Sequence, residues 1–342
     1  MKITKEKLIR LGDSFLKQRG EKDRTILCAY LTGSMLRDDP FISETTDVDI
    51  IMVHSGLEKA YREITPVSDD VTLDIYHYPT EYFSNTRNLR VDPWLGSSLC
   101  FDPIVLYGKG HWFEFILAST ESTFFVPENV IERSKVFMTQ AQKYYAEMKR
   151  LAGKQTEISY VFRYLLAIEH AVNAVACLGD KPITMRRFIR DMQSRCEVLE
   201  NTAVPSQVLR MVQGPVQSYD TYARAWKYYL EYFSSYTRPD FFSEYAAARL
   251  PYYEIAAESM WRSHLPSGIW VMLYSWTQIM NAMQVEQNEW YHQFVSDLCI
   301  SPEYADRRLA DVDRLLEFCE DAIEKWGKSK GVDPQIDIYL DA

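Results

Sequence analysis

Long apolar runs are missing from this sequence, as are a surplus of basic charge and any pairing pattern among its cysteines. The longest apolar stretches, such as Gly268 to Tyr274, fall well short of the roughly 20 residues a membrane-spanning helix needs. The N-terminus, Met1-Lys2-Ile3-Thr4-Lys5-Glu6-Lys7, has no apolar core and no small-residue cleavage site, which is not the pattern of a signal peptide. A cytoplasmic protein is therefore expected, with no membrane partner. Lys and Arg number 38 against 48 Asp and Glu, a formal net charge of −10. Residues 1–120 hold 14 basic and 18 acidic side chains, leaving 24 and 30 for the rest. Neither part is basic, which argues against duplex nucleic acid as a partner. The six cysteines (Cys28, Cys100, Cys177, Cys196, Cys299, Cys319) include no CxxC and no paired histidine spacing. They read as reduced, mostly buried thiols, not as a zinc site or a disulfide framework. No internal repeat and no low-complexity tract is present.

Against these absences stands an ordinary globular composition. Hydrophobic residues make up 47% of the 342 and charged residues 25%, enough apolar surface to offset the ordering entropy of packed cores. The length predicts two domains. Up to about residue 120 the chain alternates between helical and strand patterns. Leu8, Leu11, Phe15 and Leu16 recur at helical spacing within Lys5–Arg19. Compact apolar runs at Ile26–Leu31, Val48–Val53, Val71–Tyr78 and Pro103–Tyr107 predict strands. From Pro127 onward the pattern is helical, with helices expected at 130–152, 158–178, 183–199, 217–234, 239–262, 267–283 and 302–326. Pro251 is expected to kink or break the one at 239–262. The 23 tyrosines, several in adjacent pairs, fit packing at helix interfaces or an aromatic wall for a flat or sugar-like substrate.

The chemistry concentrates in Leu31-Thr32-Gly33-Ser34-Met35-Leu36-Arg37 and in Thr45-Thr46-Asp47-Val48-Asp49-Ile50-Ile51. Two residues apart on a strand, Asp47 and Asp49 project from one face. Carboxylates that close repel each other and raise each other's pKa unless a cation lies between them. A hard, oxygen-preferring ion such as Mg²⁺ supplies that cation and keeps substrate phosphates in its shell. Asp74 lies inside the apolar run Val71-Thr72-Leu73-Asp74-Ile75-Tyr76, where an acid is costly unless paired or metal-bound. If its strand neighbours the second, Asp74 completes a three-carboxylate site. Gly33 and Ser34, at the end of the first strand, suit an anion: no Cβ blocks the backbone's approach, and the hydroxyl and helix-start amides donate. Such a turn facing a carboxylate triad meets the needs of metal-assisted nucleotidyl transfer.

Over residues 26–80 this set resembles the signature of the nucleotidyltransferase superfamily with the polymerase-β-like core. In layout it is similar to the antibiotic nucleotidyltransferases, which join that core to a C-terminal helical bundle, kanamycin nucleotidyltransferase among them. The resemblance implies an α+β fold, with a mixed-sheet nucleotidyltransferase core over 1–124, an all-α helical bundle over 125–327 and a C-terminal tail over 328–342. It implies that Gly33, Ser34, Arg37 and Thr46 bind the nucleotide and that Asp47 and Asp49 hold Mg²⁺. Asp74 would match the third-strand carboxylate, as metal ligand or base. The reaction implied is transfer of a nucleoside monophosphate, with ATP the expected donor, to a hydroxyl, with release of pyrophosphate. An aminoglycoside-like small molecule leads as acceptor over a protein side chain or an RNA end. The alternatives are a non-catalytic binding or regulatory protein of the same fold, and a toxin-type enzyme modifying tRNA or protein.

Weaker candidates lie in the helical half. Glu169 is spaced helically from Phe162, Leu166 and Asn173, at an apolar border where its pKa could rise toward that of a general base. A salt-bridged helix residue accounts for it equally simply. Lys181, Arg186 and Arg187 either reach the triphosphate or form the charged first turn of a helix capped by Thr184. His77 alternates away from Asp74 and reads as a packed or surface histidine, and His54 shows no ligand spacing. The aromatic residues of the bundle suit a homodimer.

Overall fold

Four of the five strands, and the helices around them, follow from two periodicities in the sequence. In the computed structural model described here, residues 4–43, 45–68, 71–150, 156–214, 219–235 and 249–335 are described. The chain divides into two units, Met1–Phe125 with Thr237–Ala256, and Val126–Tyr236 with Ala257–Ala342.

The first unit is a mixed sheet with helices on both faces. Helix α1 (Lys5–Lys22) begins at Thr4, whose hydroxyl accepts from the Lys7 amide, and turns Leu8 and Leu16 inward. Strands β1 (Ile26–Thr32), β2 (Thr46–His54), β3 (Tyr61–Ser68), β4 (Val71–Pro79) and β5 (Ile104–Gly108) lie in the order β3-β4-β2-β1-β5. Only β2 and β4 pair in parallel; the other three pairs are antiparallel. Alternation along β2 sends Val48, Ile50 and Met52 toward α1, where they join Leu8, Leu16, Leu31, Leu73 and Ile75 in one core. Ile51 and Val53 point the other way, with Cys28 and Tyr30, into a second core. That core is closed by Leu89 of α2 (Thr86–Val91), Leu99 of α3 (Leu95–Cys100) and Phe113 of α4 (Trp112–Phe124).

The strand β3 is absent from the expectation. It is an edge strand whose residues range from half-buried to exposed, and it carries Pro66, which only an edge tolerates. It has neither the apolar run nor the alternation that marks its neighbours.

In the second unit α5 (Pro127–Arg150) and α6 (Glu157–Ala176) are followed by α7 (Phe188–Val198), α8 (Ala203–Gln213) and α9 (Tyr219–Ser235). Helix α10 (Leu250–Ser263) divides between the units, and α11 (Leu265–Ala282), α12 (Glu289–Asp297) and α13 (Ala305–Lys330) complete the chain. Of the helix expected at 239–262, residues 239–248 lie outside the described ones; Pro251 stands in the first turn of α10, where its missing N–H costs nothing. Most of α6 and α11 is apolar and buried, and several of their polar residues bond across to other segments of this unit. Asn173 on α6 copies a backbone pair, accepting from the Ile183 amide at 2.7 Å and donating to its carbonyl at 3.2 Å. The tyrosine pairs serve packing: Tyr229 and Tyr253 are buried and Tyr228 stacks on Trp290. Residues 328–330, expected in the tail, belong to helix α13, and residues 336–342 lie outside the described ones. Helix α13 runs through Gly327, where the chain returning past Val332 and Pro334 leaves no room for a Cβ, and ends at Gly331 in the left-handed conformation.

Candidate functional site: an acidic triad at the end of two parallel strands

In the parallel β2–β4 pair Asp49 lies opposite Asp74, and Asp47 opposite Thr72. Partners in register share a face, so alternation along β2 places all three carboxylates on one side of the sheet. One oxygen from each of Asp47, Asp49 and Asp74 lies within 4.8 Å of the others. Asp47 and Asp74 are buried and Asp49 is partly so. The apolar strands around them explain the fixed geometry: Ile50 and Ile51 on β2 and Leu73 and Ile75 on β4 are locked in the two cores.

Strand β1 brings the turn. Thr32 lies opposite Asp49, and the chain then makes one 3₁₀ turn, Gly33–Leu36. Gly33 is required there for two reasons. Its φ is +69°, and a Cβ would stand 1.8 Å from Asp49 Oδ2. The glycine therefore makes the space the Asp49 carboxylate occupies. Ser34 Oγ lies 3.2 Å from Thr46 Oγ1 and donates to the Asp47 carbonyl at 3.4 Å. Thr46, expected against a triphosphate, is buried with its hydroxyl facing the carbonyls of Pro40 and Asp47, both at 3.1 Å. As it stands Thr46 braces the turn. Arg37 follows the turn, its Nε donating to Asp39 at 3.3 Å.

Two arginines that motif reasoning missed lie against the triad. Arg62 of the edge strand grips Asp74 bidentately, Nε to Oδ1 at 2.7 Å and Nη2 to Oδ2 at 2.5 Å. Arg249, just before α10, donates from Nη1 to Asp74 Oδ2 and from Nη2 to Asp47 Oδ2, each at 2.8 Å. It is 3% exposed, and its guanidinium lies over the rings of Tyr252 and Tyr253. Burial works against the charge of Arg249, but the electrostatics of Tyr253, Asp47 and Asp74 outweigh it and hold the group protonated. Asp49 receives no such bond among the described residues; burial first, then the Asp47 and Asp74 charges, push its pKa well above the usual carboxylate range. Only the pairing of β3 with β4 could have revealed Arg62, which lies opposite Tyr76, two residues along the strand from Asp74. No local signal marks Arg249, 175 residues beyond Asp74 in the chain.

The donor set fits a divalent cation. Three carboxylates offer oxygen alone, the chemistry of a hard ion, and opposite ligands of Mg²⁺ stand roughly 4.2 Å apart at its ~2.1 Å bond length. Thr72 supports the fit: on the same face, beside Asp47, it is buried and its hydroxyl has no hydrogen-bond partner among the described residues. The weaker candidates belong to the second unit. Glu169 accepts from the Tyr274 hydroxyl, and the Lys181 amide donates to Asp180 at 2.6 Å. His54 and His77, on the opposite face of the sheet from the triad, meet Nε2 to Nδ1 at 2.9 Å, with His77 Nε2 3.2 Å from Glu63.

No protein-family model matches the sequence, and neither does any curated protein. Among solved structures the chain is similar to a nucleotidyltransferase-like protein from Exiguobacterium sibiricum 255-15. That similarity has 8% identity and a TM-score of 0.33, over 84% of this chain and 88% of that one. No described helix is long and apolar enough to cross a membrane.

Proposed function

We propose that this chain is a Mg²⁺-dependent nucleotidyltransferase that transfers a nucleoside monophosphate, AMP from ATP, to a hydroxyl of a small molecule such as an aminoglycoside-like antibiotic. The observation that carries the reading is the convergence of Asp47, Asp49 and Asp74 beside the Gly33-Ser34 turn. In the reaction the acceptor oxygen bonds to the α-phosphorus, the bond from that phosphorus to the pyrophosphate oxygen breaks, and the acceptor's proton is released. A bound Mg²⁺ would supply charge neutralisation at the phosphates and align the two oxygens.

The chain's own residues would act as follows. Asp47 and Asp49 hold the cation, and Asp74 fixes its third side. Arg62 takes one lone-pair position on each Asp74 oxygen and holds that carboxylate in place. Gly33 lets the backbone come close to the phosphates, with Ser34 and Arg37 beside it as donors. Low dielectric around the buried acids strengthens each of these interactions.

One observation favours a second reading. Arg62 and Arg249 already bring two positive charges to the triad, as a non-catalytic binding protein of this fold would need to keep three acids together. Pyrophosphate release from ATP, measured against a panel of hydroxyl acceptors, separates the two. The enzyme reading expects turnover that Asp47→Asn abolishes with the fold intact; turnover retained in that variant refutes it.

A further inference from the structure

Asp47 and Asp74 already share a cation. The Arg249 guanidinium bridges one oxygen of each, 2.8 Å from both. A Mg²⁺ bound to the same two oxygens would sit about 2.1 Å from each, on top of the nitrogens that now face them. The two occupants exclude each other by contact as well as by charge. Arg62 differs, since it grips both oxygens of one acid, Asp74, from the sheet edge.

Nor is Arg249 seated as a permanent structural ion pair would be. Its Nε is buried with no hydrogen-bond partner among the described residues, and its guanidinium carbon lies 4.8 and 5.6 Å from the ring centres of Tyr252 and Tyr253. The third acid, Asp49, receives no guanidinium bond among the described residues.

We propose that Arg249 is an internal counter-cation that competes with the divalent ion for Asp47 and Asp74, so that metal enters the site only as Arg249 withdraws. The inference rests on the triad being a metal site, as in the preceding subsection. It gives Arg249 a role that neither metal ligation nor phosphate binding describes: it sets the metal concentration at which the site fills. When a competing state holds the site, apparent affinity falls by the fraction of molecules left competent. An Arg249 bridge present in nine molecules of ten therefore weakens metal binding by about tenfold.

The test is direct Mn²⁺ binding to the full chain, read from the loss of the free-ion electron paramagnetic resonance signal, with no nucleotide and no turnover. Arg249→Met, which keeps the volume and removes the charge, should bind Mn²⁺ at least about tenfold more tightly than the wild type. Arg249→Lys, which keeps the charge but lacks the two-pronged bridge, should fall between them and serves if the Met variant does not fold. Millimolar guanidinium chloride should weaken Mn²⁺ binding to Arg249→Ala and leave the wild type unchanged. Equal or weaker binding in folded Met and Lys variants overturns the competition while the metal site stands, provided Asp47→Asn still abolishes binding. If neither the wild type nor any Arg249 variant binds Mn²⁺, the metal reading of the triad falls and takes the competition with it.

Discussion

Replacing Gly33 by alanine tests whether this turn is built around the Asp49 carboxylate. Two separable costs are expected. The first is conformational, since a residue with a Cβ at φ +69° gives up about 1–2 kcal/mol relative to glycine. The second is steric: the new Cβ would lie 1.8 Å from Asp49 Oδ2 and 2.7 Å from its Cγ, so the carboxylate must move. Overpacking of this kind costs about 1–3 kcal/mol. The sum is about 2–5 kcal/mol. Gly56 and Gly110 supply the control, because their φ values are +74° and +57° and a Cβ at either meets nothing within 4 Å. Gly56→Ala and Gly110→Ala should therefore show the conformational cost alone. In an Asp49→Ala background the two nearest atoms are gone and the Cβ of residue 49 remains at 3.1 Å, so Gly33→Ala should recover most of the steric cost and approach the cost measured at Gly56. Urea unfolding of the four single variants and the double variant closes the cycle. Gly33→Ala costing no more than Gly56→Ala, or no recovery in the double variant, would refute the argument.

Two further outcomes follow from groups outside the triad. Burial first, with neighbouring His54, holds His77 down to about 4 in the folded protein. The unfolded chain then binds the proton near 6.5 while the folded one resists it, so stability falls as pH drops from about 6.5 toward 4, by up to about 3 kcal/mol. His77→Asn should flatten that limb of a stability-versus-pH curve, and an unchanged slope would count against the buried histidine pair. In the second unit Asn173→Ala orphans both the amide and the carbonyl of Ile183, at a cost of about 2–4 kcal/mol. A thermal melt indistinguishable from wild type would show that this side chain is not needed to tie Ile183 to α6.

Much of the sheet was legible because its inner strands announce themselves. The runs at Ile26–Leu31 and Val48–Val53 fall inside β1 and β2, and Val71–Tyr78 inside β4. Asp47 and Asp49 share a face by spacing alone. Whether Asp74 joins them depended on which strand β4 pairs with, and that is set by the crossover through β3, the strand with no apolar signature. The same strand hid Arg62. Arg249 was out of reach for a different reason: spacing reports neighbours along a helix or strand, and Arg249 reaches Asp47 across 202 residues. The helix start expected after the first strand is a single 3₁₀ turn, and its Gly33 takes a left-handed φ beside Asp49. Thr46 matched a motif by position, yet its hydroxyl turned inward, since spacing carries no information about a buried rotamer.

The central claim is that the triad binds a nucleotide through a divalent ion. The measurement that tests it most directly is a thermal melt of the full chain with each nucleoside triphosphate, with and without Mg²⁺, beside the Asp47→Asn variant. A ligand at a hundred times its dissociation constant stabilises by about 2.7 kcal/mol, a rise of several degrees for units of this size. The account predicts that rise with one nucleotide, only when Mg²⁺ is present and only in the wild type. No metal-dependent rise with any nucleotide, or the same rise in Asp47→Asn, would contradict it.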